Sequence, residues 1–172
     1  MEIDPTDTLL ISGIRKQGKT HFVRAFLMPY FKEKGIAVNY HRDPGCIKRL
    51  PSGVHHIIDD FDKVPMKKLG NLLEVIQDIA MAGRHDGTGL TIIVHHPTWT
   101  AKEFRLTPDH IIAFKQPSAA AVQWYRPLLG KLGMERVVDL PKTVFIWKNE
   151  EGLFLCRLQQ QGGRWEVEGV RQ

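Results

Sequence analysis

The sequence predicts a three-layer α/β fold with a mostly parallel central sheet and a C-terminal antiparallel hairpin. Three observations support this prediction. Short apolar runs alternate with amphipathic stretches, a glycine-rich turn joins the first such pair, and two apolar runs near the end flank a short polar turn. Alternation of this kind is typical of strands joined by crossover helices. With 172 residues and no repeat or linker-like segment, the chain is expected to be a single domain over residues 1–172.

The first half of the chain begins with a strand and a helix. Residues 8–12 have the apolar centre of a buried strand, and from Lys19 onward apolar residues recur at helical spacing. Pro29 is expected to end or kink that helix. The next predicted elements are a strand over 36–40, a loop over 42–52, a strand over 54–58, and a helix with Met66, Leu69, Leu73, Ile76 and Ala80 on one face.

The second half begins with a strand over 90–94, which His95-His96-Pro97 ends. A fifth strand is predicted over 111–114 and a helix over 118–129, with Pro127 near its end. The last predicted element is a hairpin, because the apolar runs 144–147 and 153–158 flank the polar turn 149–152.

The glycine-rich turn matches the pattern G-x-x-x-x-G-K-[ST], and it lies between a predicted strand and a predicted helix. Glycines allow successive backbone N–H groups to converge on phosphate oxygens, and the helix N-terminus adds a partial positive charge. We expect Lys19 to reach the β- and γ-phosphates and Thr20 to be a ligand of Mg²⁺. The predicted nucleotide-binding residues are Gly13, Ile14, Arg15, Lys16, Gln17, Gly18, Lys19 and Thr20. The motif predicts a P-loop NTPase that binds ATP.

Two adjacent carboxylates follow the strand predicted over 54–58. Asp59 is expected at the carboxyl edge of the sheet, where open α/β sheets bind ligands, as the second metal ligand for Mg²⁺. Asp60 is the candidate for polarising the attacking water. The strand predicted over 36–40 lies between the P-loop and Asp59 in the chain. An inserted strand is typical of additional-strand ATPases, whereas small-molecule kinases place the two strands side by side.

The block Ala82–Pro97 extends the pattern with an Arg84-His85 pair, a polar turn, an apolar strand and His95. With the P-loop, Phe104-Arg105, the segment 109–114 and the C-terminal hairpin, this order resembles the FtsK–HerA superfamily of DNA-pumping ATPases, especially viral genome-packaging ATPases. The resemblance implies an Mg²⁺-dependent ATPase that forms a homo-oligomeric ring, translocates DNA without reading its sequence, and has capsid or vertex proteins as possible partners.

The resemblance also implies roles for three further residues. Asp60 would orient water, His95 would sense the γ-phosphate, and Arg84 would be a finger that reaches the nucleotide of a neighbouring subunit. Two of these residues depart from the family pattern, which has Asp-Glu where this chain has Asp59-Asp60 and Gln where it has His95. Because Arg84 is expected at the end of a helix, its side chain could equally serve as a cation that caps the last helix carbonyl groups.

Composition is compatible with this function without demonstrating it. The formal net charge is +5, but Arg15, Lys16 and Lys19 of the P-loop account for part of it. Two distant cysteines argue against a disulfide scaffold. With no signal-peptide pattern and no apolar run near the roughly 20 residues of a membrane helix, no membrane association is expected. The expected location is the host cytoplasm or the virion for a viral protein, and otherwise the cytoplasm.

Three alternative functions remain open from the sequence. The first is a phage or secretion assembly ATPase of the same superfamily, whose members usually continue into a membrane-spanning segment. The second is a small P-loop nucleoside or nucleotide kinase, although Arg126, Arg136 and Arg157 are too scattered to indicate an arginine-rich lid. The third is a nucleotide switch that does not hydrolyse ATP, which the Asp60 and His95 departures favour.

Overall fold

The computed structural model of the chain describes residues 2–47, 49–64, 66–99 and 108–172. One eight-stranded sheet runs through the molecule, with strand order β2-β3-β4-β1-β5-β6-β7-β8. The strands are β1 Thr8–Ser12, β2 Val38–His41, β3 His55–Ile58, β4 Gly89–Val94, β5 His110–Ala113, β6 Val144–Asn149, β7 Gly152–Gln161 and β8 Arg164–Arg171. Neighbours are parallel from β2 to β5 and antiparallel from β5 to β8. The predicted α/β class and mostly parallel sheet are confirmed.

In the described part of the chain, three helices cover the sheet. Helix α1 consists of an α-helical turn Lys19–Phe22, a π-helical segment Val23–Leu27 and an α-helical segment Met28–Glu33. Pro29, expected to end or kink this helix, does not end it: a π-helical segment directly before it interrupts the regular α-helical pattern, and Pro29 lies in the first turn of the α-helical segment that follows. Helix α2 is Met66–Ala82, and helix α3 is Ala119–Val137 with a break at Gly130.

The sheet has the strand order expected for an additional-strand ATPase, but the inserted strand is not the one that the sequence suggested. The strand predicted over 36–40 becomes β2 and lies at the outer edge of the sheet. The strand inserted between β1 and β3 is β4. Neighbouring strands are about 4.8 Å apart, so β1 and β3 lie about 10 Å from each other. The carboxyl ends of β1 and β3 therefore lie at the same edge of the sheet, one on each side of β4.

The two faces of the sheet pack against different helices. Alternate residues of each strand point to opposite faces. On one face Leu9, Ile11 and Ile57 pack against Phe22 and Phe31 of α1. On the other face Leu10, Ile58 and Ile92 pack against Leu72 and Ile76 of α2, and Ile111, Ala113 and Ile146 pack against Tyr125 and Leu129 of α3. The predicted three-layer arrangement follows from this packing.

The C-terminal antiparallel region has one strand more than the predicted hairpin. Strand β8 pairs with β7 along its whole length, and Gly162 and Gly163 form the turn between them with positive φ angles. Trp165 and Val167 of β8 pack against the α1 side of the sheet. The alternation of charged and apolar residues over 164–167, after two glycines, is a hairpin pattern that the sequence analysis missed.

No helix among the described residues is long and apolar enough to cross a membrane. Phe104-Arg105, which contributed to the family resemblance, lies outside the described residues.

His55 of β3 is fully buried between the sheet and α1. Its ring nitrogens contact the Pro5 carbonyl oxygen and Thr91 Oγ1, each at 2.8 Å, and the ring lies 4.2 Å from that of Phe31. Burial lowers the pKa of His55 to about 4, because a charged imidazole would lose its hydration there. The ring is therefore a neutral core residue at neutral pH.

Acidification is expected to destabilise the fold through His55. The folded pKa lies below the unfolded value of about 6.5, so the unfolded chain binds the extra proton, and stability present above pH 6.5 is lost as the pH falls towards 4. The linkage predicts a loss of about 2 kcal/mol at pH 5 relative to pH 7. Urea unfolding at both pH values measures it. His55→Gln should reduce this loss and His21→Gln, at an exposed position, should not; equal losses in both variants would contradict the assignment.

Candidate nucleotide-binding site

The predicted P-loop leaves the carboxyl end of β1 and leads into α1. Gly13 and Gly18 have φ angles of 149° and 105°, a region that L side chains rarely adopt. A Cβ atom on Gly13 would lie 2.6 Å from the Phe114 Cβ, so the loop approaches the end of β5 as only glycine allows. The Ile14 N–H donates to the Lys115 carbonyl at 3.0 Å, which fixes the loop to the segment after β5.

Lys19 is buried within the loop. Its ammonium group donates to the carbonyl oxygens of Gly13 and Ile14, at 2.5 and 3.1 Å. Burial lowers the pKa of Lys19 to about 8, although the nearby carboxylates of Asp59, Asp62 and Asp60 oppose the shift. The Lys19 side chain therefore lies across its own loop. Nearby phosphate oxygens would stabilise the charged form of its ammonium group.

Thr20 and Asp59 meet although Thr20 lies in the first turn of α1 and Asp59 follows β3. The Thr20 hydroxyl donates to Asp59 Oδ2 at 3.2 Å, and Asp59 Oδ1 accepts from the Asp60 N–H at 2.9 Å. Asp59 is only 8% exposed. The two predicted metal ligands thus form an adjacent pair of oxygen donors, the ligand type that Mg²⁺ prefers.

Tyr40 is a third member of this group that the sequence analysis did not identify. Its hydroxyl donates to Asp59 Oδ2, and the Arg24 guanidinium lies 5.4 Å from the centre of its ring. Burial raises the pKa of Tyr40 to about 12, and the hydrogen bond to Asp59 contributes to the shift. Tyr40 reaches Asp59 because β2 and β3 are parallel neighbours, a contact that no local sequence pattern indicates.

Asp60 has a left-handed backbone conformation, with φ 53° and ψ 38°. This conformation is uncommon for residues other than glycine, and aspartate tolerates it better than most. The turn brings the Asp60 carboxylate to an ion pair with Lys63 and places Asp60 Oδ1 3.5 Å from His95 Nε2. The predicted catalytic residues Asp60 and His95 are therefore neighbours.

Asp62 also contacts His95 and was missed. Asp62 Oδ1 lies 3.2 Å from His95 Nδ1, and the His95 backbone N–H donates to Asp62 Oδ2 at 3.3 Å. Asp60, Asp62 and His95 are also near enough to one another to hold a metal ion. The spacing Asp-Asp-x-Asp over 59–62 was visible in the sequence, but its relation to residue 95 depends on the β3–β4 pairing.

Several of these residues, among them Lys19, Thr20, Asp59, Asp60 and His95, line one open pocket of about 390 Å³ at the carboxyl edge of the sheet. His21 and Lys142 are further lining residues that the sequence analysis did not identify. Lys142 lies beside the P-loop because the residue after it is hydrogen-bonded to that loop: the Thr143 N–H donates to the Gln17 carbonyl at 3.2 Å. The complete lining is Lys16, Gly18, Lys19, Thr20, His21, Asp59, Asp60, His95 and Lys142.

Arg84 is not part of this pocket. It is two-thirds exposed and forms ion pairs with Asp109 and, at 3.8 Å, with Asp7. Asp7 and Asp109 precede β1 and β5, whereas the P-loop follows β1. One five-residue strand, about 16 Å long, therefore separates Arg84 from the P-loop edge of its own subunit.

Comparisons with known proteins support the fold. No protein-family model matches the chain, and no match was found among curated proteins. Solved structures do match. The genome-packaging NTPase B204 of Sulfolobus turreted icosahedral virus 2, in complex with ATP-gammaS, has a TM-score of 0.71 at 14% identity over 89% of this chain and 97% of its own. The chain has the fold of a genome-packaging ATPase.

Two other solved structures have the same fold. B204 of Sulfolobus turreted icosahedral virus, a DNA-packaging ATPase, gives a TM-score of 0.66 at 14% identity over 98% of this chain and 99% of its own. The pCW3 conjugation coupling protein TcpA gives 0.65 at 15% identity over 89% of this chain and 60% of its own. All three neighbours share the fold of this chain at low sequence identity.

Replacement of Gly13 is expected to damage the loop. Gly13→Ala would place a side chain at a positive φ and against Phe114, which should lower the unfolding free energy by about 1–3 kcal/mol and weaken ATP binding. Urea unfolding and titration with a fluorescent ATP analogue measure the two effects. Gly70→Ala is the matched control, since an added Cβ there has no neighbour within 4 Å and should stabilise α2 by up to about 1 kcal/mol. A Gly13→Ala protein as stable as wild type would show that the loop has another conformation.

Proposed function

We propose that this chain is an Mg²⁺-dependent ATPase and a DNA translocase of the viral genome-packaging type, with residues 1–172 as one P-loop domain. The contact between Thr20 and Asp59 carries the proposal, because it joins the end of the P-loop to the carboxylate after β3 with β4 inserted between their strands. The same strand order argues against a small nucleoside kinase, since β1 and β3 are not neighbours.

The pocket supplies the groups that phosphoryl transfer to water needs. Backbone N–H groups of the P-loop and the Lys19 ammonium bind the phosphates, and Asp60 and His95 lie where they can orient water. Thr20 and Asp59 would hold Mg²⁺, which neutralises charge on the phosphates when bound. Positioning and charge neutralisation account for most of the catalysis in this class of reaction.

A ring of subunits explains the position of Arg84. Because Arg84 lies at the amino edge of the sheet, it can complete only a nucleotide site of a neighbouring copy that presents its carboxyl edge. Such a contact is heterologous, and repeated contacts of that kind form a ring where the rotation from one subunit to the next closes. The amino edge has a cleft of about 600 Å³ whose acidic lining residues are Glu2, Asp4, Asp7, Asp109, Glu150 and Glu151. The pocket at the P-loop edge has three lysines, Lys16, Lys19 and Lys142, beside Asp59 and Asp60, so such a contact would bring lysines of one copy towards carboxylates of the next.

DNA is the proposed cargo. B204 is named as a genome-packaging ATPase and TcpA as a conjugation coupling protein, and the excess of basic residues in this chain suits contacts with the phosphate backbone. Capsid or vertex proteins are the further partners expected of a packaging motor, which would act in the host cytoplasm or on the virion. An assembly ATPase of the same superfamily is the second candidate, which the similarity to TcpA favours.

Hydrolysis is expected to depend on Lys19 and to respond to DNA. Lys19→Ala should lower kcat at least about 100-fold, because it removes the charge that neutralises the transferred phosphoryl group. Phosphate release is measured with Mg²⁺, with EDTA, and with double-stranded DNA over a range of salt concentrations. Lys32→Ala, at an exposed position in α1, is the control.

Three outcomes would count against this proposal. Equal activity of Lys19→Ala and wild type would refute ATP hydrolysis at the P-loop. A rate indifferent to DNA at low salt would refute the translocase. Transfer of phosphate to an added nucleoside or nucleotide would favour the kinase.

Arg84 is expected to act in trans. Arg84→Ala should lower kcat by about 10³-fold, within the range of arginine fingers, while ATP affinity stays close to wild type. A mixture of Arg84→Ala and Lys19→Ala subunits should recover activity, because about one quarter of its interfaces would pair an intact P-loop with an intact Arg84. Arg126→Ala, at an exposed position in α3, should be fully active. Absence of recovery in mixed rings of confirmed composition would exclude the trans role.

A further inference from the structure

Asp62 holds His95 at two points. Its side chain is 7% exposed, and it lies in the 3₁₀ turn Phe61–Lys63. One carboxylate oxygen faces the His95 ring nitrogen Nδ1 at 3.2 Å, and the other accepts from the His95 backbone N–H at 3.3 Å. A buried carboxylate that contacts both the ring and the main chain of one residue fixes the position and the rotation of that ring.

The Asp62 contact also determines which ring nitrogen has the proton. Carboxylates are only acceptors, and the 3.2 Å contact of Asp62 with Nδ1 is shorter than the 3.5 Å distance from Asp60 Oδ1 to Nε2, so in a neutral ring Nδ1 is the better-placed donor. In a neutral imidazole the other nitrogen, Nε2, then has a lone pair and is an acceptor. Neutral His95 therefore cannot donate from Nε2 to a phosphate oxygen, as the amide of the expected family Gln would.

Gln116 completes the support of His95. Its side-chain amide donates to the His95 carbonyl oxygen, and the residue is fully buried. His95 is thus held at its N–H, its carbonyl and its Nδ1, and the nitrogen left for the pocket is Nε2. That nitrogen lies 3.5 Å from Asp60 Oδ1. The other charged groups of this region are Lys63, which pairs with Asp60, and Lys16, Lys19, Asp59 and Lys142, which line the same pocket.

We propose that Asp62 is a positioning residue that acts through His95. It keeps the neutral ring in the Nδ1–H form, so that His95 Nε2 and Asp60 Oδ1 are two adjacent acceptors for the water that attacks ATP. The inference rests on the proposed ATPase function. It assigns His95 to the water instead of the γ-phosphate, and it makes the two departures from the family, Asp60 and His95, parts of one arrangement with Asp62.

The ring form of His95 can be measured without any reaction. Nitrogen NMR of uniformly ¹⁵N-labelled protein, with His95→Gln used to assign the signals, distinguishes a protonated nitrogen from one with a lone pair. At a pH where the ring is neutral, the expected result is a protonated Nδ1 and an unprotonated Nε2. A proton on Nε2, or loss of the Nδ1 proton on addition of Zn²⁺, would overturn the inference, since the second result would make Asp60, Asp62 and His95 a metal site.

A double-mutant cycle tests the action through His95. Asp62→Asn should lower kcat about 100-fold with the KM for ATP within about twofold, since a positioned acid–base group contributes at least that much to the chemical step. Asp62→Glu, which restores a carboxylate, should recover part of the rate. In a His95→Gln background, Asp62→Asn should change kcat less than about threefold, because the ring that Asp62 orients is absent.

Controls separate this inference from folding effects and from the proposed function. Asp86→Asn removes an exposed carboxylate from the turn before β4 and should leave kcat unchanged. Thermal unfolding of each variant identifies losses caused by misfolding. Equal 100-fold losses in both backgrounds would show that Asp62 acts independently of His95 and refute the inference. A wild-type protein that does not hydrolyse ATP would refute the proposed function, and the NMR measurement would still decide the ring form.

Discussion

The site depends on the parallel register of three strands. Ser12 of β1 is paired with Val94 of β4, and Ile58 of β3 with Ile92 of β4. The carboxyl ends of these strands therefore reach the same edge, and each is followed by part of the pocket: the P-loop, Asp59-Asp60 and His95. A slip of one residue in either pairing would turn these side chains to the opposite face. The buried apolar residues of β1, β3 and β4 hold that register. The packing of the core therefore determines the geometry of the site.

The departures from the family pattern make physical sense together. Asp60 is one methylene shorter than glutamate, and its left-handed backbone turns the carboxylate towards His95. An imidazole is bulkier than an amide and has two nitrogens, of which Asp62 engages one. The 3₁₀ turn Phe61–Lys63 places Asp62 against His95, the residue that follows β4. The short segment after β3 therefore contributes both carboxylates that face the His95 ring. Because His95 is held at its backbone N–H, its carbonyl and its ring, it suits a site in which the orientation of the imidazole contributes more to catalysis than its affinity for a proton.

Local patterns predicted the parts of the structure that depend on local physics. The P-loop, Asp59 and the order of strands and helices were predictable because glycine spacing and apolar periodicity act over a few residues. Tyr40, Asp62 and Gln116 were not, because each reaches the site through strand pairing that the sequence does not display. The identity of the inserted strand was wrong for the same reason, since order along the chain does not determine order in the sheet. The persistence of α1 through Pro29 depended on a π-helical segment with no sequence pattern of its own.

In the proposed ring, where Arg84 would be an arginine finger, the opposite placement of Arg84 and the P-loop has a consequence for the control of hydrolysis. In the isolated chain Arg84 is bound to Asp109 and Asp7, and Asp7 in turn contacts His110 at 2.8 Å. Burial opposes ionisation of Asp7, but its hydrogen bonds, led by the one to His110, lower its pKa overall, so it is a charged partner for the arginine. A finger held in this way must exchange carboxylates for phosphate oxygens before it can act. Because Arg84 is largely exposed, the ion pairs that it would lose are weak ones. The nucleotide of a neighbouring subunit can therefore compete for the guanidinium, so hydrolysis would follow the approach of one subunit to the next instead of ATP binding alone.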